Sequence, residues 1–85
     1  MQIKSNYVAK FILERRKEKS IGQQKLQELI FEGKRSGQFI SNIERGKCQL
    51  PSKHIRKIAE ILEVEADQIV DLLVADYREA VVRGL

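Results

Sequence analysis

The chain reads as an all-α fold of five helices, and three observations carry that expectation. No segment alternates polar and apolar residues over a strand's length. The β-branched residues fall instead at helical spacings. Breakers at Ser20–Gly22, Gly46 and Pro51 then divide the sequence into helix-sized pieces. The 85 residues suffice for one modest core and are too few for two, so residues 1–85 are expected to form a single domain.

The first helix is expected from about Asn6 to Lys19, with Val8, Phe11 and Ile12 on one face and a charged end over Glu14–Lys19. The second starts near Gln23 and buries Leu26, Leu29 and Ile30. The third runs from about Ser36 to Arg45. Ser36 can cap its free amides, and Gly46 can end it in a left-handed conformation. Pro51 forbids continuation; Ser52 then caps a fourth helix that turns Ile55, Ile58, Ala59 and Leu62 inward. A fifth begins around Glu65 and runs past Tyr77.

At 100° per residue, nine apolar residues of the fifth helix, from Ala66 to Leu85, fall within an arc of about 160°. Leu72, Ala75 and Val82 lie outside it. A terminal helix covering one side of a small core needs only about 100°. The surplus implies a second apolar surface, most simply another copy of the chain. Helix 65–83 is therefore expected to dimerise through Val70, Leu73, Val74, Tyr77 and Val81.

Hydrophobic content of 42% with 33% charged residues fits a globular chain. The charge is segregated: residues 1–59 carry a net +9 and residues 60–85 a net −5. A basic body with an acidic tail points to a polyanion partner for the body alone. Cys48 is the one cysteine, which excludes an intramolecular disulfide and suits a reducing, cytoplasmic setting. It has no Cys or His at metal spacing. The start MQIKSNYVAK lacks an apolar leader core, and no apolar run approaches the ~20 residues of a membrane span. His54 has no catalytic companion at a convincing spacing and is read as exposed surface. No phosphate loop, metal constellation or nucleophile motif is present, so neither an enzyme nor a cofactor is expected.

The segment Gln23–Pro51 is the most informative. It reads as two short helices around a Gly-containing turn, and the second carries Gln38 and Asn42 one turn apart. Those amide side chains can bond adenine edges in a DNA major groove.

Taken together, ISNIERG, then LP, then IRKIAEILEV resemble the lambda-repressor-like (Cro-type, XRE) helix-turn-helix family. Arg16, Ile21, Gln23, Leu26, Ser36, Ile40, Ser41, Ile43, Glu44, Gly46, Pro51, Ile58, Ala59 and Leu62 carry the resemblance, which covers about residues 8–70. It implies a five-helix fold whose helices two and three read DNA, usually in dimeric repressors or regulators. Two departures stand out. The stretch between Leu26 and Ile40 is about three residues longer than the family pattern, the extra residues falling in FEGKRS; alternatively helix two is one turn longer. Gln27 replaces the small Ala usual in the family.

Gln38 and Asn42 are the expected base readers. Gly37 lets the backbone approach the duplex, and Phe39 is assigned to a thymine methyl or sugar. Gln23 bonds a phosphate oxygen or braces a reader, and Ser36 caps the helix or reaches phosphate. Arg45, Lys47, Gln49, Ser52 and Lys53, with Lys34 and Arg35 on the enlarged turn, are the expected phosphate contacts. The resemblance implies that Arg16 and Glu44 pair inside the domain, outside the DNA site. The expected partners are double-stranded DNA and a second copy. The rival reading is an antitoxin-like interaction module that holds a protein partner through the acidic, apolar fifth helix.

Overall fold

The computed structural model describes residues 6–33 and 37–84. All regular structure among them is helical. Helix α1 spans Tyr7–Glu18, α2 Gln23–Phe31, α3 Phe39–Glu44, α4 Ile55–Leu62 and α5 Ala66–Arg83; a 3₁₀ turn over Ser52–His54 precedes α4. No described helix is long and apolar enough to cross a membrane.

One core joins all five helices. Ile12, Leu26, Ile40, Ile58, Leu62 and Ile69 are its most deeply buried side chains, one or two from each helix. Helix α1 lies against α5 and α3, α4 packs on α5 and α2, and α2 also meets α3. The inward set of α4 is the expected one, Ile55, Ile58, Ala59 and Leu62. On α2, Leu26 and Ile30 are buried, but Leu29 is largely exposed and Gln27 takes the inward position instead.

The helix ends show where local sequence governs and where it does not. At the end of α3 the Gly46 N–H donates to the Ile43 carbonyl and the Lys47 N–H to the Asn42 carbonyl, at 3.0 and 2.9 Å. This paired closure needs a left-handed residue, and Gly46 supplies it with φ 73°. A side chain there would also collide with Asn6, whose Nδ2 lies 2.5 Å from the site of a Cβ. Helix α5 carries its own capping box, Glu65 with Gln68, so its start is written locally.

Helix α1 begins differently. Asn6 makes no capping bond. The carboxylate of Asp76, in the middle of α5, accepts the Tyr7 and Val8 N–H groups at 2.7 and 3.2 Å. A charged acceptor on the first-turn amides also complements the helix dipole. One expected cap is corrected. Ser52 opens the 3₁₀ turn and makes no side-chain capping bond, so α4 starts three residues later, at Ile55. Helix α3 starts at Phe39, with Gln38 in the capping position; Ser36 lies outside the described residues.

Candidate nucleic-acid interface

Helix α3 has six residues, too few to persist alone, and is held by side chains from α1 and α2. At its C-terminal end Glu44 receives two bonds from Arg16, Nε to Oε2 at 2.9 Å and Nη2 to Oε1 at 3.0 Å. The two side chains are only 10% and 4% exposed. Arg16 Nη1 also donates to the Ile21 carbonyl, joining the same pair to the turn between α1 and α2. The Gln23 amide adds a third bond to Glu44, Nε2 to Oε1 at 2.9 Å. Gln23 thus bonds Glu44, which is neither a phosphate nor one of the expected base-reading side chains.

At the N-terminal end, Gln27 Oε1 accepts the Phe39 N–H at 2.9 Å. Gln27 is 1% exposed, and its bond replaces a local cap with one brought from the neighbouring helix. Sequence reasoning noticed Gln27 only as a bulky replacement for Ala. A polar residue beside Leu26 on the inward side of α2 was the available signal.

So anchored, α3 turns a polar cluster outward. Arg45 Nη2 donates to Gln38 Oε1 at 3.0 Å and to Asn42 Oδ1 at 3.2 Å, and its Nε reaches the Ser41 carbonyl at 3.4 Å. The guanidinium thus orders both amides while their NH₂ groups and second oxygen lone pairs stay available. Beside the cluster lies a polar cleft of about 190 Å³ lined by Gln23, Gln24, Gln27, Gly37, Gln38 and Ser41. Gln24 and Ser41 were not singled out as site residues from the sequence; Ser41 lies in the ISNIERG run, whereas nothing marks Gln24 apart from its place beside this cleft.

The remaining expected residues divide. Gly37 is exposed, has φ 113° and leaves open space where a side chain would begin. Lys47, Gln49, Ser52 and Lys53 are exposed, though Gln49 and Ser52 line a separate groove on the α5 side. Lys34, Arg35 and Ser36 lie outside the described residues. Phe39 is corrected: it is 9% exposed and belongs to the core cluster. Its ring makes edge-to-face contacts with Phe31 and His54 at centroid distances of 5.0 and 5.4 Å, and those two rings meet each other at 5.0 Å. His54 is likewise half-buried in this aromatic group instead of lying free on the surface. Burial of two large rings outweighs exposure for a single base contact.

The second expected surface is on α5. Val70, Val74, Tyr77 and Val81 are exposed, Val74 at 59% and Tyr77 at 66%. Leu73 is half-buried and packs against the core, so it belongs only partly to this outer stripe. Between the stripe, the start of α1 and the segment after α3 lies an apolar-walled groove of about 600 Å³ that includes Leu50, Leu73, Val74 and Tyr77. Among the described residues no three His, Cys, Asp or Glu side chains are grouped to hold a metal. Compared with protein-family models, curated proteins and solved structures, the chain gives no match.

Proposed function

We propose that this chain is a sequence-specific double-stranded DNA-binding regulator of the lambda-repressor-like helix-turn-helix kind, acting as a dimeric repressor. The observation that carries the reading is the ordered cluster of Gln38, Asn42 and Arg45 on the outer face of α3. Amide and guanidinium groups are the side chains that recognise purine edges in the major groove, and preordering them lowers the entropy lost on binding. A helix this short, braced by a buried ion pair, presents its polar face as a rigid unit. The net charge of +9 over residues 1–59 supplies the attraction to phosphate. In this reading Gln38 and Asn42 read bases, while Lys47 and Lys53 set register on the backbone. Arg45 shares the readers' cluster, so its role is orientation of the readers as well as charge.

On a duplex selected by the protein, Gln38→Ala is expected to lose discrimination at one base position by about 1–3 kcal/mol. Lys47→Ala is expected to weaken binding to all sequences alike and reduce its salt dependence. If Gln38→Ala leaves the preference for the selected duplex unchanged, Gln38 is not a reader.

The groove beside α5 favours a second reading, an antitoxin-like module that holds a protein partner there and binds DNA secondarily. The self-association of the purified chain discriminates the two. A dimer closes the apolar stripe without another protein.

A further inference from the structure

The spacing and flanking charges of the outer stripe on α5 specify an occupant. Val70, Val74, Tyr77 and Val81 follow at intervals of four, three and four, the alternation of core positions in a heptad seam. Asp67 and Gly84 take the next seam positions at the two ends. Asp71 and Arg78, both exposed, flank one side; Leu73 and Ala80 flank the other.

Two copies of this seam can pair in two directions. A parallel pair sets each Asp67 against the partner's Asp67 and keeps Asp71 apart from the partner's Arg78. An antiparallel pair with its two-fold axis between Ala75 and Asp76 has a different result. Val70 then layers on the partner's Val81, and Val74 on the partner's Tyr77. Asp67 meets the partner's Gly84, so no acid faces its own copy. Asp71 faces the partner's Arg78 on one side of the axis, and symmetry repeats the pair on the other. Leu73 meets the partner's Ala80, an apolar contact at the edge of the groove that Leu73 helps to line.

We propose that α5 is an antiparallel self-association surface, with a second copy of this chain as its occupant and two Asp71–Arg78 ion pairs fixing its direction. This rests on the two-copy reading above and adds its geometry.

Sedimentation equilibrium of the wild type, Arg78→Asp and the double reversal Asp71→Arg/Arg78→Asp tests it. The single reversal turns two attractive pairs into two repulsive ones, and the dimer Kd is expected to rise roughly tenfold or more. The double reversal is expected to return the Kd to within about threefold of wild type. A dimer whose Kd is unmoved by the single reversal, or is not rescued by the double, overturns the antiparallel arrangement and leaves the two-copy reading standing. A wild type that stays monomeric at high micromolar concentration overturns both, without bearing on whether the chain binds a duplex.

Discussion

Helices α3 and α5 obtain their stability in opposite ways. The six residues of α3 end on a local closure at Gly46 but are anchored at both ends by side chains from other helices: Gln27 on the Phe39 amide, and Arg16 on the Glu44 carboxylate. The eighteen residues of α5 carry a local capping box and outrun the core they cover. The importing helix can spend its outer face on polar groups with no packing duty. The longer helix lends a carboxylate, Asp76, to the start of α1 and still has an apolar stripe to spare. A six-residue helix needs support from behind; a long terminal helix leaves apolar surface uncovered.

The largest test of that contrast removes the support. Arg16→Ala strands the Glu44 carboxylate in a site 4% exposed, and breaking a buried pair in this way is expected to cost about 3–5 kcal/mol. Urea denaturation followed by circular dichroism reads it. A loss below about 1 kcal/mol, the range of a surface pair, means that α3 does not depend on this anchor.

Next in size is Gln27→Ala, which leaves the buried Phe39 amide without the bond it makes and is expected to cost about 1–3 kcal/mol. The same denaturation series measures it, with hydrogen exchange at α3 amides as a local readout. Protection should fall first in α3 and stay unchanged in α5. Uniform loss along the chain means that Gln27 serves the whole core and is no cap.

These two residues also show what the sequence can and cannot disclose. The inward set of α4 follows from 3.6-residue periodicity, and Gly46 from the left-handed residue that a helix end requires. Both are local facts. Ser36 and Ser52 attracted the capping expectations for the same local reason. The bond found at α3's first amide comes instead from Gln27, twelve residues before Phe39, and that at α1 from Asp76, at the far end of the chain. Local propensity holds no record of such partners. Their trace is a polar residue in an inward arc: Gln27 beside Leu26, and Asp76 seven residues after Ile69 on α5. Nothing within α3 itself marks Phe39 for burial. The rings that bury it stand at the end of α2 and before α4. The polar face was legible through Gln38 and Asn42, but the ordering by Arg45 was not, since it depends on rotamers.

The smallest expected effect concerns the other contact between α5 and α1. The Tyr7 hydroxyl donates to Glu79 Oε1 at 2.7 Å, and that hydrogen bond and the carboxylate's charge hold the phenol above its ordinary value of 10.0. Since the folded state keeps this proton longer than the unfolded one, the contribution is full below about pH 10 and is lost as pH rises through the folded value. Tyr7→Phe is expected to remove that part of the alkaline fall in stability. An identical alkaline profile in wild type and variant would show that the bond does not couple to folding.

Sequence-specific duplex binding is tested by selection of bound sites from a random duplex library, with the winner titrated against scrambled DNA at two salt concentrations. The expected result is an inverted repeat, its half-sites about one helical turn apart, bound far more tightly than scrambled duplex at both salts. Weak, sequence-blind binding that collapses with salt would contradict it.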